Sequence, residues 1–338
     1  MTTITDEELY LNAEVLKDKV VLITGGSSGV GQATAIAFAS YGAKVIIGDI
    51  DVAGAKHTIR ECLRVGGTIG SDAMVQKCDV TSWEEQVALF DAGYKKYGRI
   101  DFVVPNAGVG GPPDGPLALT KRTKDIPAKP DTRTIDINLT GVIYTVRLGQ
   151  HYLMKNKEKP LGPMAIIFVS SMAGNNGLPR GEIYSATKHG IVALCRSLTE
   201  DYRGHGIRTA VVCPWFIDTP ILKTASRVAL AGIPLTPVHR VAGAIVCAAT
   251  DPNWETSGAS YNLPDDGLVM RTERHELTVG VYKLLTDRIN GLIKVQTTAN
   301  HYKNVVSDLF MLAAPHLTVV AFVLPILAYW LFTRWMNS

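Results

Sequence analysis

A chain of 338 residues can form one large domain or two of average size, and 46% hydrophobic with 19% charged residues is typical of a packed globular protein. The formal net charge of +3, without a run of lysines and arginines interleaved with aromatic residues, argues against nucleic acid as a partner. The five cysteines are far apart and the eight histidines show no ligand spacing, so we expect reduced thiols and no metal site.

Short apolar runs alternate with helical stretches from Lys19 onward, which is typical of a parallel sheet covered by helices on both faces. The apolar runs rich in β-branched residues predict buried strands at 20–23, 44–48, 102–104, 165–169 and 209–213. Apolar residues at helical spacing predict helices at 33–41, 83–97, 140–154 and 184–203. The pattern therefore predicts a single-domain α/β fold, a Rossmann-type doubly wound parallel sheet with its ligand at the carboxyl ends of the strands.

The two ends of the chain differ from this middle part. Residues 1–18 are polar and acidic, unlike a secretory signal, and we expect an N-terminal extension of a cytosol-facing domain over 19–270. The sheet is expected to end at 262–267. Beyond it, 271–308 is predicted to be a basic helical linker, followed by the uncharged segment 309–332.

A glycine-rich turn follows the first predicted strand and leads into a helix. Gly25, Gly29 and Gly31 allow the backbone to approach a pyrophosphate closely, and the helix N-terminus offers unpaired N–H groups to that anion. Ser28 and Val30 lie within the same turn. Because strand, turn and helix follow in the correct order, the turn predicts a dinucleotide site.

Asp49 ends the second predicted strand, at the distance from the glycines where a carboxylate hydrogen-bonds the hydroxyls of an adenosine ribose. Its negative charge would repel a 2'-phosphate, and no arginine or lysine lies in the glycine turn or directly after it. We therefore expect NAD as the cofactor in preference to NADP. Capping of the next helix is the alternative role for this aspartate.

Tyr184 and Lys188 lie four residues apart on a predicted helix, which puts the phenol and the ammonium on one face. A lysine cation and a positive nicotinamide ring favour phenolate, so we expect the pKa of Tyr184 below the usual value of about 10. Ser171 lies thirteen positions earlier, at the end of a strand, with Ser170 as the neighbouring alternative. Adjacent strand residues point to opposite faces, so only one of the two serines can meet Tyr184.

Together these motifs resemble the single-domain branch of the short-chain dehydrogenase/reductase family over about 19–267. The resemblance implies that Ser171 holds the substrate oxygen, Tyr184 takes its proton as general base, and Lys188 also binds the nicotinamide ribose. It implies that Asn138, in the sequence NLTG, holds a water that links Lys188 to solvent. The apparent glycosylation site at Asn138 is then buried structure.

Further cofactor contacts follow from the same resemblance. Asp79 is implied to meet the adenine ring, Asn106 in the sequence NAG to line the cofactor site, and Ile217 and Thr219 to contact the carboxamide or phosphates. The resemblance also implies dimers or tetramers.

Two positions depart from the family pattern. Pro105 stands where asparagine is usual and removes a backbone donor, so we expect altered packing at the end of that strand. Trp215 replaces a glycine, and it is expected either to form an apolar substrate wall or to pack beneath a flap. The loop 110–130 and the segment 221–237 are candidate substrate contacts.

The uncharged segment 309–332 is long enough to cross a hydrocarbon core of about 30 Å as a helix. A tail anchor, an in-plane membrane hairpin and a dimer or substrate-lid helix are the alternatives. The anchor would place the protein on a membrane such as the endoplasmic reticulum, with the catalytic domain in the cytosol. It would also favour lipophilic substrates of terpenoid, steroid or polyketide type.

The sequence as a whole predicts an NAD-dependent oxidoreductase that transfers a hydride between the cofactor and a lipophilic secondary alcohol or its ketone. An NADP-dependent ketoreductase is the nearest alternative. A nucleotide-binding regulatory protein without turnover is a third, which the residues Asn138, Ser171, Tyr184 and Lys188 argue against.

Overall fold

A computed structural model describes residues 1–111, 117, 126–156, 162–219, 227–228, 230–277 and scattered positions from 287 to 303. The chain divides into two units, Met1–Val279 and Gly280–Ser338. The first unit carries the fold and the site described below.

The first unit alternates strands and helices along the chain, as predicted. The strands are β1 (Thr2–Ile4), β2 (Val20–Thr24), β3 (Lys44–Asp49), β4 (Ala73–Lys77), β5 (Phe102–Pro105), β6 (Met164–Val169), β7 (Ile207–Pro214), β8 (Ser260–Leu263) and β9 (Val269–Thr272). The helices are α1 (Gly29–Ser40), α2 (Val52–Gly66), α3 (Trp83–Tyr97), α4 (Arg133–Ile135), α5 (Gly141–Met154), α6 (Glu182–Gly204) and α7 (Val238–Thr250).

The described strands form one sheet in the order β1-β9-β8-β7-β6-β5-β2-β3-β4. The strands from β4 to β8 in this order pair in parallel, and β9 and β1 are added antiparallel. The chain runs outward from β2 to β3 on one side and returns to β5 on the other. This reversal opens a crevice at the carboxyl ends of the central strands, where ligands bind in open α/β sheets. The predicted Rossmann-type fold is confirmed.

Buried side chains cover both faces of the sheet. One cluster packs between the sheet and α1, α2, α7 and the N-terminal segment. The other packs between the sheet and α3, α5 and α6. The five cysteines are unpaired, as predicted, and burial raises the pKa of the Cys213 thiol to about 12, which keeps it protonated at neutral pH.

The N-terminal segment belongs to the same unit as the sheet. Strand β1 pairs with β9, so the expectation that the sheet ends at 262–267 is wrong. Leu9 and Leu16 are buried, and the carboxylate of Asp6 accepts hydrogen bonds from Arg240 at 2.7 Å. Although most residues of this segment are polar, a few apolar side chains among them pack on the domain.

Several predicted boundaries move by a few residues. Helix α1 begins at Gly29 rather than at 33, because its first turn is made of the glycines that were assigned to the loop. Helix α6 begins at Glu182 rather than at 184. Strand β4 was not predicted, since it lies at the sheet edge and only Ala73 of its five residues is buried.

Some predicted segments lie largely or wholly outside the described residues. They are most of the loop 110–130, residues 221–226 and 229, most of the linker 271–308, and the candidate membrane segment 309–332. Within the part of the chain that the structure describes, no helix is both long and apolar enough to span a membrane.

Candidate active site

A cavity of about 1760 Å³ lies at the carboxyl ends of the central strands. This volume exceeds the 300–1,000 Å³ or so of a typical small-molecule pocket, and leaves room for a dinucleotide and a second ligand. Of the predicted site residues, all line the cavity except Gly31 and Asn138. The topology thus brings together residues that are up to 190 positions or so apart in the chain.

The glycine turn lies at one end of the cavity. Gly25 has φ +72° and donates its N–H to the carbonyl of Gly48 at 2.8 Å, and a Cβ here would lie 2.7 Å from Cα of Ala107. A Cβ on Gly31 would lie 2.1 Å from the carbonyl oxygen of Gly25, so Gly31 lets the helix pack against the turn. Ser28 is the N-cap residue of α1, but its side chain makes no capping bond. Gly29 and Val30, the first residues of α1, line the cavity, and the uncapped N–H groups of a helix N-terminus favour an anion there.

Asn106 ties the end of β5 to this turn. Its side-chain amide donates to the carbonyls of Thr24 at 3.0 Å and Gly25 at 2.9 Å, and its N–H donates to the Thr24 hydroxyl at 3.1 Å. Pro105 pairs in register with Thr24 at the end of β5, so the strand accommodates the proline at its last residue. Asn106 fixes the turn through the backbone in addition to lining the cavity.

Asp49 lies at the end of β3 with 7% of its surface exposed. One carboxylate oxygen accepts from the N–H of Ser27 and the other from the N–H of Asp51, both at 2.9 Å. These bonds hold the carboxylate against the glycine turn, and each oxygen keeps a second acceptor site for a ribose hydroxyl. Helix α2 is capped instead by Asp51, which accepts from the N–H of Gly54 at 3.0 Å, so capping is not the role of Asp49.

Asp79 lies on the same side of the cavity. One of its oxygens accepts from the N–H and the hydroxyl of Thr81, at 2.9 and 2.8 Å. After β7, Ile217 and Thr219 also line the cavity, and a Cβ on Gly29 would lie 3.2 Å from the methyl of Thr219. The segment after β7 therefore packs directly against the glycine turn. These residues fit the adenosine and phosphate parts of a nicotinamide dinucleotide.

Tyr184, Ser171 and Lys188 meet near the middle of the cavity. The Ser171 hydroxyl lies close enough to the Tyr184 phenol to lower its pKa, and Lys188 Nζ lies 5.7 Å from the centre of the Tyr184 ring. Lys188 is buried and donates to the carbonyl of Val169 at 3.2 Å. Ser170, by contrast, is buried and bonds the carbonyl of Lys188 at 2.9 Å. Of the two serines, Ser171 is the one near the Tyr184 phenol, and it is the serine that the family resemblance implies.

The electrostatics of this group differ from the expectation. Burial raises the pKa of Tyr184, while the hydrogen bond from Ser171 lowers it. Burial also lowers the pKa of Lys188 to about 8, because the buried site disfavours its charge. The prediction of a lowered tyrosine pKa is therefore wrong for the protein alone, since burial outweighs the neighbouring hydrogen bond.

Asn138 lies just behind the cavity wall, in a π-helical turn, Asp136–Thr140, at the start of α5. Its amide exchanges two hydrogen bonds with the backbone of Val109, at 2.8 and 2.9 Å, and it is fully buried. A Cβ on Gly108 would lie 3.2 Å from its oxygen and 3.7 Å from Lys188 Nζ. Asn138 thus fixes the loop beside Lys188. The π turn shifts the helical register at a position where such turns frequently mark functional sites.

The remaining wall of the cavity is largely apolar. Trp215 and Phe216 stack edge to face with ring centres 4.8 Å apart, and both line it. Trp215 therefore forms a wall, one of the two roles expected for it. Leu230 and Ile233, from the predicted substrate segment 221–237, line the cavity as well. Five other residues of the lining were not predicted, namely Tyr144, Met172, Leu178, Arg180 and Phe216. Most of them lie in loops, where no periodic pattern marks them.

Comparison with known proteins agrees with this geometry. The sequence profile described as "short chain dehydrogenase" matches residues 19–228. The chain belongs to the short-chain dehydrogenase family. It is therefore an oxidoreductase that interconverts an alcohol and a ketone with a nicotinamide cofactor.

Two curated relatives and one solved structure illustrate the likeness of this short-chain dehydrogenase. The 5'-hydroxyaverantin dehydrogenase of Dothistroma septosporum is 35% identical over 228 residues, 64% of this chain and 73% of that protein. The mitochondrial borneol dehydrogenase of Lavandula x intermedia is 30% identical over 257 residues, 75% and 90% of the two chains. The 3-ketoacyl-(acyl-carrier-protein) reductase of Brucella melitensis, solved with NADH, is 28% identical, with a TM-score of 0.64 over 75% and 98% of the chains.

Proposed function

We propose that this short-chain dehydrogenase interconverts a lipophilic secondary alcohol and its ketone with NAD, and that Tyr184 transfers the proton. One observation carries the proposal. The Ser171 hydroxyl and the Tyr184 phenol meet in one cavity, with the apolar pair Trp215 and Phe216 on its wall and Asp49 at its cofactor end.

Each polar residue has a distinct task in the oxidation. The Ser171 hydroxyl hydrogen-bonds the oxygen of the alcohol and orients its proton toward Tyr184. The phenolate form of Tyr184 accepts that proton, since both hydroxyls lie within reach of one substrate oxygen. Bound NAD supplies the hydride acceptor. Lys188 contributes positive charge beside the phenol and a donor for the nicotinamide ribose, while Asn138 keeps the loop beside it in place.

The preference for NAD rests on the charges around the adenosine ribose. Asp49 faces the cavity, and Ile50 and Asp51, which follow it, bring no positive charge. A 2'-phosphate would meet a carboxylate already held in place by two N–H groups. The NADH bound by the Brucella reductase is consistent with this choice.

The substrate class rests on the apolar wall. Trp215 fills a position where the family pattern has a small residue, and Met172 and Leu178 extend the apolar surface between Ser171 and the helix of Tyr184. Such a surface binds rings by excluding water from them. The relatives named for 5'-hydroxyaverantin and borneol support a lipophilic alcohol of terpenoid, steroid or polyketide type.

The test is a panel of cyclic secondary alcohols and matching open-chain alcohols, incubated with the purified full chain and either NAD or NADP. We expect reduction of NAD with cyclic alcohols, followed by absorbance of the reduced nicotinamide, and kcat/KM at least tenfold lower with NADP. A tenfold preference for NADP, or for short open-chain alcohols, would refute the cofactor or the substrate assignment respectively.

Membrane association through 309–332 is part of the proposal and rests on the sequence alone. A chain that ends at residue 308 should move from the membrane fraction to the soluble fraction while keeping its turnover. Recovery of the intact chain in the soluble fraction after lysis without detergent would refute the anchor.

A further inference from the structure

Arg180 occupies a backbone conformation that disfavours its side chain. Leu178, Pro179, Arg180 and Gly181 form a β-turn in which the N–H of Gly181 donates to the carbonyl of Leu178 at 2.9 Å. Arg180, the third residue, has φ +61°. Proline at the second position and positive φ at the third are the pattern of a type II turn, which favours glycine or asparagine at the third. An arginine at this position therefore adopts a backbone conformation that glycine or asparagine would adopt at a lower conformational cost.

The turn is fixed at both ends by the catalytic elements. The N–H of Leu178 donates to the Ser185 hydroxyl at 2.9 Å, and Gly181 is the N-cap residue of α6, which carries Tyr184. The turn also follows the loop that begins at Ser171. The helix that carries Tyr184 therefore also fixes the position of the turn relative to the reacting groups.

Arg180 lines the cavity beside Leu178 and Pro179. It is exposed, and within the described residues its guanidinium makes no hydrogen bond or ion pair. The other cations of the lining differ in this respect. Arg133 pairs with Asp131, and Lys188 donates to a main-chain carbonyl. Arg180 is thus a positive charge at the wall of an otherwise largely apolar part of the cavity.

The N-terminus of α6 adds to the positive potential near Arg180, since helix N-termini attract anions. One nearby group has the opposite sign. Glu182 lies in the first turn of α6, and one of its carboxylate oxygens is buried without a partner. Glu182 does not line the cavity, so its charge does not occupy the site that Arg180 faces.

We propose that Arg180 binds an acidic group of the substrate, a carboxylate or a phenolate, while the apolar wall binds the ring that carries the reacting alcohol. This rests on the proposed function. The planar guanidinium matches a carboxylate with two parallel hydrogen bonds, which gives direction as well as attraction. The preferred substrate is then a cyclic alcohol with an acid group remote from the carbon that is oxidised.

The same guanidinium has one competing use, a phosphate of the cofactor. The glycine turn after β2 already offers a phosphate site, whereas Arg180 lies in the loop between β6 and α6. The affinity for NADH distinguishes the two roles. Loss of Arg180 lowers this affinity only if Arg180 binds the cofactor.

The test compares the binding of 4-hydroxycyclohexanecarboxylate and its methyl ester to the full chain saturated with NADH, by titration calorimetry. The unaltered chain should bind the acid at least tenfold more tightly than the ester. Arg180→Asn, which removes the charge but tolerates positive φ, should abolish that preference without weakening NADH binding. Arg180→Lys should keep part of it. Arg64→Asn removes an arginine from α2 outside the cavity and should leave the preference intact.

Equal affinity for acid and ester in the unaltered chain, no binding of either, or an unchanged preference in Arg180→Asn would overturn the inference. A fall in NADH affinity in that variant would also overturn it in favour of a cofactor contact. Turnover with NAD and apolar ring alcohols tests the proposed function independently of the acid site at Arg180. If such alcohols react but acids are not preferred, the proposed function stands and the inference fails. If acids bind preferentially but no ring alcohol reacts, the proposed function fails, and the inference about its substrate fails with it.

Discussion

Ser170 donates its hydroxyl to the main-chain carbonyl of Lys188 at 2.9 Å, while the hydroxyl of the next residue, Ser171, lies close enough to the Tyr184 phenol to lower its pKa. Two adjacent hydroxyls after β6 thus contact the same helix, one at the main chain of Lys188 and the other at the side chain of Tyr184. Both residues line the cavity, but Ser170 is buried whereas Ser171 is partly exposed. The Ser170 hydroxyl thus has a structural role, whereas the Ser171 hydroxyl is available to a substrate.

The first prediction uses this pair. Ser171→Ala should lower kcat about 10²- to 10³-fold, since it removes a donor to the substrate oxygen. It should also reduce the free energy of unfolding by about 1 kcal/mol, because the Ser171 hydroxyl accepts from the N–H of Ala173 at 3.1 Å. Ser170→Ala should reduce the free energy of unfolding by about 1 kcal/mol, because it removes a buried hydrogen bond. Its effect on kcat should be the smaller of the two. Steady-state kinetics and urea unfolding of both variants decide, and a larger kcat loss in Ser170→Ala would contradict the assignment.

The second prediction concerns the cost of burying Lys188. Burial lowers its pKa from 10.5 to about 8 in the folded protein, a gap that corresponds to about 3 kcal/mol against the charged form. Below pH 8 the residue is protonated in both states, so the full penalty is present. As pH rises from 8 toward 10.5 the unfolded chain binds more protons than the folded one, and the penalty declines.

Lys188→Met should therefore be more stable than the unaltered chain at pH 7, by up to about 3 kcal/mol, and the gain should shrink by pH 10. The lost hydrogen bond to Val169 offsets part of it. Unfolding midpoints of both proteins across this pH range give the measurement. A gain that grows with pH, or a loss at pH 7, would show that the ammonium is stabilised in its site. Turnover should be lost in this variant at every pH.

The third prediction concerns cofactor choice. Asp49→Asn should lower kcat/KM with NAD and raise it with NADP, shifting the ratio at least tenfold, because the charge that opposes a 2'-phosphate is removed. Asp51→Asn is the matched control. Asp51 caps α2, does not line the cavity, and asparagine caps helices equally well. An equal shift in both variants would mean that general negative charge, rather than Asp49, sets the preference.

The fourth prediction concerns the N-terminal segment. Leu9 is 1% exposed, and a Cβ on Gly243 of α7 would lie 2.9 Å from one of its methyls. Leu9→Ala should destabilise the protein by about 2–5 kcal/mol, as for other buried leucines. Leu11→Ala should change it by less than about 0.5 kcal/mol, since Leu11 is 74% exposed. Equal and small effects in chemical unfolding would show that the segment does not contribute to the folded domain.

The central fold was predictable because its signals are local. Strands β2, β3 and β6 are continuous apolar runs, and α3 was predicted with the boundaries it has in the structure, since Ser82 caps its start and Gly98 ends it. The edges were not predictable. Strand β1 has three residues and pairs with β9, which begins only at Val269, so no local pattern indicates either strand.

The polar site was predictable because each residue follows a strand or lies on a helix at fixed spacing. The burial of Tyr184 was not predictable, because it depends on how several elements pack around the phenol. This burial raises the pKa of Tyr184, whereas the sequence predicted a lowered pKa. Arg180 was also missed. Its signal, a proline and a glycine on either side of an arginine just before the helix of Tyr184, predicts a turn but not that the turn lines the cavity.

Tyr184→Phe tests the account most directly, because it removes one oxygen atom and leaves the ring. In this variant, kcat with NAD and the best ring alcohol should fall at least 10³-fold, within the range for loss of a general base. The affinity for NADH, measured by fluorescence titration, should stay within about threefold of the unaltered chain, since the glycine turn and Asp49 are untouched. A variant that binds NADH normally and keeps turnover within tenfold would contradict the assignment of Tyr184 as the residue that transfers the proton.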